Sequence, residues 1–315
     1  MTSIPVIDFT PFHSNTASES QRKQTAAQIH EACSSIGFLI AKNVGISDKE
    51  VKDLINVSSD FFSLPLDVKE QAKRGSDNRG YVGVRVEQLN PKDEQADYKE
   101  AFNMMPDKNK WVESCKEGTI FKDSCTSFYK TATKAASVVL RGYEAALGLE
   151  KDFFINNHFN GGSHASTLRI LHYPEFKRSD IPDKVRAGAH SDYGSITLLW
   201  QNNVGGLQVQ DAQGKWHFVP PVSGGQCIVN TADLLMQWTN DHYISTRHRV
   251  IDPPGVNDSS TVPQRFSVAF FVHPADATLI QPLESSSLPK ESKSKYEPVT
   301  AGKYLQQRLE ATYIK

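Results

Sequence analysis

Residues 265–272 read Arg-Phe-Ser-Val-Ala-Phe-Phe-Val, and the alternation in this stretch decides the fold. Successive side chains of a strand point to opposite faces. Phe266, Val268 and Phe270 therefore share one face, and Arg265, Ser267, Ala269 and Phe271 share the other. A lone arginine in a strand usually makes a surface ion pair, but one that shares a face with Ala and Phe calls for a buried anion. A planar guanidinium grips a carboxylate with two parallel hydrogen bonds, and a hydroxyl two residues away adds a further donor.

Working back to about Ser166, the runs TLRILHY, SITLLW, GLQVQ, KWHFV, QCIVN and TRHRVI alternate with Gly, Pro, Asn and Asp turns. Short strands at this spacing predict an antiparallel sandwich or barrel. Before them, Ile4 to Phe9 reads as a strand that Pro5 places near a sheet edge. A helix from about Ser20 carries Ile29, Cys33 and Ile36 on one face and stops at Gly37; Phe38 to Ala41 is a short strand. Ser47 and Glu50 form a capping box, and the helix they open has Val51, Leu54, Ile55, Phe61 and Phe62 at helical spacing; Pro65 starts one more turn. Residues 74–97 form a long irregular segment, the kind that is often functional. A long amphipathic helix runs from about Phe121 to Leu147 and stops at Gly148. Residues 281–298 read as a surface linker, and Thr300 opens a last helix with Leu305, Leu309 and Tyr313 on one face.

The 315 residues carry a formal net charge of -1, which gives no reason to expect nucleic acid or an acidic membrane as partner. No apolar run approaches the roughly 20 residues of a membrane helix, and MTSIPVIDFT has no secretory pattern. The four cysteines form no C-x-x-C pair and read as reduced thiols of a cytoplasmic protein. Histidine and carboxylate must then carry any metal. His190-Ser191-Asp192 is an H-x-D triplet whose outer members would share one side of a strand. Two imidazoles, one carboxylate and open positions suit non-haem iron(II). H-x-D alone also occurs by chance in surface turns. For the third ligand His248 is the best candidate, in a strand where Thr246, His248 and Val250 share a face; His242 competes on composition. His164, His172, His217 and His273 read as structural or surface histidines.

In order along the chain, H-x-D, a distal histidine inside STRHRV and R-x-S inside RFSVAFF resemble the isopenicillin N synthase-like branch of the iron(II)/2-oxoglutarate-dependent dioxygenases. IPVIDF, GFLIAKNVGIS and FFSLPLDVK look like that family's N-terminal region, and HSDYGSITLLWQNNVGGLQV and NTADLLMQWTNDHYISTRHRV look like its core. LRILHYP, VRAGAHSDYGSITLL and GKYLQQRLEATY look especially like fungal thymine 7-hydroxylase-like members, whereas Gly80 to Met105 resembles them much less. Leu171 stands where plant members usually have Asn, and Ala232 replaces the usual Gly before Asp233.

The resemblance implies an α+β chain with a double-stranded β-helix (jelly-roll) core and flanking helices. Its division would be an N-terminal α/β region at 1–115, a long helix packing on the core at 116–160, the dioxygenase core at 161–280, and a linker with a C-terminal helix at 281–315. It implies iron(II) on His190, Asp192 and His248, and 2-oxoglutarate on Arg265, Ser267 and Tyr173. O2 would be consumed, with ascorbate as stimulant, and a small organic substrate would be hydroxylated or desaturated as 2-oxoglutarate gives succinate and CO2. The alternatives are an iron oxidase of the same fold that uses no 2-oxoglutarate, and a non-catalytic jelly-roll binding protein. With Tyr173 inward, strand parity turns Arg169 inward too, either toward a carbonyl-bearing or anionic substrate or toward an internal carboxylate. Tyr193 and Phe271 are pocket candidates suited to a planar ring, and family position adds Phe102, with Asn103, at the mouth.

Overall fold

A computed structural model describes residues 4–312 except 15, 94, 182–184 and 290–292; Tyr313, expected on the last helix, lies outside the described residues. Helix α1 (Glu19–Ser35) opens on a capping box between Ser18 and Gln21 that the sequence reading did not anticipate. In α2 (Asp48–Phe62) the expected box is present: Ser47 Oγ accepts from Glu50 N at 3.2 Å, and Glu50 Oε2 accepts from Ser47 N at 2.8 Å. Gly37 follows α1 with φ +68°, and a Cβ there would lie 2.0 Å from the Ile244 carbonyl oxygen. The stop is thus set by close packing as well as by glycine's freedom. Helix α3 (Lys116–Ala146) buries the anticipated stripe of Phe121, Cys125, Phe128, Ala132, Val139 and Tyr143. It starts earlier than expected because its polar first turn carries Gly118, packed against the Val112 carbonyl oxygen, and gives no apolar signal.

Two sheets form the core. The larger contains β1 (Val6–Asp8), β2 (Phe38–Lys42), β3 (Gly80–Val82), β4 (Glu100–Met104), β5 (Thr167–Tyr173), β7 (Ile196–Gln201), β10 (Cys227–Thr231) and β12 (Arg265–Val272). Its order is β1-β2-β10-β7-β12-β5-β4-β3, with β1 at the edge as Pro5 suggested. Segments before residue 116 thus share one sheet with the later strands. The smaller sheet runs β9-β8-β11-β6, from β6 (Val185–His190), β8 (Leu207–Gln210), β9 (Trp216–Phe218) and β11 (His248–Ile251).

Strand parity assigns the two faces. Phe266, Val268 and Phe270 of β12 join Leu168 and Ile170 of β5 and Phe121 and Phe128 of α3 in the outer core. Leu171, Tyr173 and Ala269 instead meet Ala187, Leu207, Val209 and Val250 of the small sheet. Apolar side chains thus fill the space between two facing sheets, which is the jelly-roll arrangement, with helices covering the outside of the larger one. Each large apolar side chain so buried contributes about 1.5–3 kcal/mol. Among the described residues no helix is long and apolar enough to cross a membrane.

Candidate active site

β6 and β11 are antiparallel neighbours whose register sets His190 opposite His248, with ring centroids 4.4 Å apart. Asp192 is not on the strand. β6 ends at His190, and Asp192 lies in the next turn, where its carbonyl accepts from Asp233 N at 2.9 Å. Contrary to the shared strand face expected for H-x-D, the turn, not the pleat, returns the carboxylate to the imidazoles. Likewise β11 begins only at His248, so Thr246 precedes it. Asp192 Oδ1 stands 3.8 Å from His190 Nε2 and 3.5 Å from His248 Nε2. Among the described residues these three form the one cluster whose ligand atoms lie close enough to share an ion, all within 4.8 Å. His242 is elsewhere, with its Nε2 3.2 Å from His30 Nε2.

The surroundings fit a metal. His190 Nδ1 lies 2.7 Å from Gly188 O and His248 Nδ1 3.1 Å from Thr246 O. A carbonyl can only accept, so each Nδ1 carries a proton, and in the neutral ring each Nε2 lone pair faces the site. Thr197 Oγ1 at 2.6 Å and Asn230 Nδ2 at 2.9 Å donate to Asp192 Oδ2, leaving Oδ1 toward the imidazoles. Burial opposes ionisation of Asp192, but His248, His190 and these hydrogen bonds hold its carboxyl well below the usual range. Burial, with His248 beside it, pushes His190 down to about 4. For His248, burial is outweighed by Asp192, and its value rises. An ionised carboxylate and neutral imidazoles are the forms a metal binds.

Facing this cluster, Arg265 is 1% exposed. Its Nη1 donates to Ser267 Oγ at 3.1 Å and its Nη2 to Gln201 Oε1 at 2.5 Å, and its guanidinium lies 4.8 Å from the centre of the Tyr173 ring. No carboxylate among the described residues pairs with it, and its Nε has no hydrogen-bond partner. Burial pushes its pKa down. A buried cation left in this state calls for an anion from outside. Gln201, which orients it, and Asn230 and Thr197, which orient Asp192, carry no sequence signal of their own.

His190, Asp192, His248 and Arg265 line a single cavity of about 140 Å³. Arg169, Leu171, Tyr193 and Phe271 also line it, together with Asn103, Glu87, Lys99 and His273. Arg169 lines the cavity and pairs with Glu87, the internal carboxylate that one of its two readings called for. Phe102 does not line the cavity, and that expectation is corrected. It packs on the outer face against Phe61, Trp111 and Phe121, while its neighbour Asn103, opposite Arg169 in the register, points in. Asn103 Oδ1 is buried without a partner. The last helix, α6 (Ala301–Thr312, with α4 at Phe153–His158 and α5 at Asp233–Trp238), closes one side with Leu305 and Leu309, and its Arg308 lies 4.5 Å from the centre of the Tyr193 ring. Of the other histidines, His172 pairs with Glu100 and His217 with Asp211.

Two family models match the chain: the non-haem dioxygenase N-terminal region named for morphine synthesis over residues 4–119, and the 2OG-Fe(II) oxygenase superfamily over residues 163–274. A 2-oxoglutarate-dependent dioxygenase of Aspergillus rugulosus is 30% identical, with 98% of this chain and 99% of the relative covered. A proline hydroxylase of Petromyces alliaceus is 31% identical, with 98% of each covered. The full-length thymine 7-hydroxylase of Neurospora crassa, solved with α-ketoglutarate and thymine, superposes with a TM-score of 0.86 at 32% identity, covering 98% of this chain and 96% of the other. The chain belongs to the 2OG-Fe(II) oxygenase superfamily and is a non-haem iron, 2-oxoglutarate-dependent dioxygenase.

Proposed function

We propose that His190, Asp192 and His248 hold iron(II), and that Arg265, Ser267 and Tyr173 hold the distal carboxylate of 2-oxoglutarate. A small, flat, carbonyl-bearing molecule is hydroxylated or desaturated beside them. The observation that carries this is Arg265: a fully buried guanidinium without a carboxylate among the described residues, in one cavity with the His190, Asp192 and His248 cluster. Iron(II), when bound, supplies activation of O2 coupled to decarboxylation of 2-oxoglutarate to succinate and CO2.

The chain's own work is positioning. Thr197 and Asn230 fix the carboxylate of Asp192, and the two backbone carbonyls fix the imidazole tautomers. Tyr193 and Phe271 offer aromatic faces to a ring, Arg169 offers donors to a carbonyl, and Asn103 Oδ1 offers an acceptor to an N–H or O–H. Leu171, Leu305 and Leu309 exclude water around the reacting carbon. Phe102 has no part in the pocket. The solved relative bound to thymine makes a nucleobase one member of the class to try first, and the proline hydroxylase relative adds small cyclic amino acids. Ascorbate stimulation and a cytoplasmic setting belong to the same reading; Cys33, Cys115, Cys125 and Cys227 as free thiols support the latter.

An oxidase that uses no 2-oxo acid could set a substrate carboxylate on Arg265 instead, and no observation favours it. The test is release of succinate and labelled CO2 from 2-oxoglutarate under iron(II), ascorbate and O2, with a screen of small molecules for stimulation. Turnover without 2-oxoglutarate would sink the proposal.

A further inference from the structure

The irregular segment before β4 delivers more than loop. Glu87, Asp97 and Lys99 are 3%, 2% and 3% exposed, buried as deeply as core leucines. Lys99 Nζ pairs with Asp97 and, at 3.5 Å, with Glu87, and Glu87 also pairs with Arg169 of β5. Asp97 is pinned at both oxygens: Oδ1 accepts from Gly188 N at 2.9 Å, two residues before His190, and Oδ2 accepts from Leu89 N at 3.3 Å. Glu87, Lys99 and Arg169 line the cavity itself. Burying four charges costs far more than filling the same space with apolar side chains. Their placement at the wall of a ligand cavity calls for a role there.

That role follows from the charge count. Arg169 and Lys99 bring two positive charges, and Glu87 and Asp97 bring two negative ones. Of the other cations, Arg265 lines the cavity and faces the cosubstrate anion, and Arg308, outside the lining, lies 3.8 Å from Asp233. This cluster is thus rich in hydrogen-bonding groups, yet its four described charges sum to zero.

We propose that Glu87 sets the charge of the substrate: by neutralising Arg169 and Lys99 it restricts this cavity to uncharged molecules that both donate and accept hydrogen bonds. A carboxylate entering the wall gives up its hydration and meets cations already satisfied. A neutral amide, lactam or imide loses less and finds Arg169 as donor and Asn103 Oδ1 as acceptor. Removing the charge of Glu87 leaves these four groups with one more positive than negative charge, and the wall then accepts an anion. This inference rests on the oxygenase reading above and narrows its substrate class.

The test uses matched neutral and anionic probes: uracil with uracil 6-carboxylate, and nicotinamide with nicotinate. Protein loaded with iron(II) and 2-oxoglutarate is kept anaerobic, and retention of each probe is measured by equilibrium dialysis. Wild type should retain the neutral member at least ten-fold better, and that ratio should fall at least ten-fold in Glu87→Gln. The double variant Glu87→Gln/Lys99→Gln returns the wall to zero net charge and should restore the ratio, which separates charge from damaged folding. A wild type that prefers the acids, a ratio unmoved by Glu87→Gln, no restoration in the double variant, or no retention of either member of both pairs overturns the proposal. Succinate formation is scored separately, so loss of the oxygenase reading is told apart from loss of the charge rule.

Discussion

Arg265 and Tyr173 stand directly opposite each other on β12 and β5, with the guanidinium 4.8 Å from the centre of the phenol ring and both side chains turned into the space between the sheets. The ring covers one side of the cation, Gln201 and Ser267 take two of its nitrogens, and the remaining donor capacity faces the cavity. Truncating one partner of a buried charge pair costs roughly 2–5 kcal/mol. Arg265→Ala should therefore raise the KM for 2-oxoglutarate by at least about 30-fold. Lysine, a point charge without the fork, should recover only part of this. Ser267→Ala removes one hydrogen bond of about 1 kcal/mol and should cost about five-fold. Succinate release against 2-oxoglutarate concentration measures all three, and an Arg265→Ala enzyme with an unchanged KM would remove the arginine from the cosubstrate site.

Asp192 depends on Thr197 and Asn230 for its aim. Loss of such an outer partner typically weakens a metal site 10- to 100-fold. Thr197→Val and Asn230→Ala should each reduce affinity for iron(II), or for cobalt(II) as a spectroscopic probe, by about that factor. Titration of the metal reads this without any turnover. Metal affinity equal to that of wild type in both variants would show that the turn alone fixes Asp192.

Much of this was legible in the sequence, and the limits have physical causes. Alternation in RFSVAFFV placed Arg265, Ser267, Ala269 and Phe271 on one face because β12 runs straight through the sheet. The same parity turned Arg169 inward. In β4 all five residues of EAFNM are buried, so no alternation of polarity marks its faces. Only the pairing of Asn103 with Arg169 settles that Phe102 points away. Asp192 reaches the site through a turn that no strand period describes, and Glu87, Asp97 and Lys99 come from a stretch whose order depends on long-range ion pairs. The amphipathic pattern of α6 was clear, but not what its apolar face covers.

His158 gives a pH dependence. It is fully buried, with Nδ1 2.7 Å from Phe154 O and Nε2 2.8 Å from Ser195 Oγ. The neutral ring satisfies both contacts, donating from Nδ1 and accepting at Nε2. Burial pushes its pKa from 6.5 down to about 3. The unfolded chain therefore binds this proton first. The contribution of the neutral ring is complete above about pH 6.5 and is lost progressively as pH falls toward 3. Between pH 6.5 and 5, above most carboxylate titration, unfolding free energy should fall by on the order of 1 kcal/mol per pH unit from this group. His158→Leu should be less stable at pH 7, with Ser195 left unpartnered, yet should show a shallower slope. Urea unfolding at a series of pH values measures it, and a variant slope equal to that of wild type would assign the acid sensitivity elsewhere.

The last helix makes a separate claim on the substrate. Leu305 and Leu309 present their side chains to the cavity, and Tyr304 ties the same helix to α5 through a 2.9 Å hydrogen bond from its hydroxyl to Asp233 Oδ2. Both leucines are only partly buried by the chain itself, so a bound substrate would complete their burial. Full burial of a leucine is worth about 1.5–3 kcal/mol, and half of that from each gives on the order of 1.5–3 kcal/mol for the pair. Leu305→Ser/Leu309→Ser should therefore raise the substrate KM about 10- to 150-fold while the KM for 2-oxoglutarate, whose proposed site lies against β12, stays within about two-fold. With water admitted, succinate should also form in excess of oxidised product. Measuring succinate and product in the same reaction separates the two effects. If both KM values rise together, α6 stabilises the whole cavity and is not a wall of the substrate end.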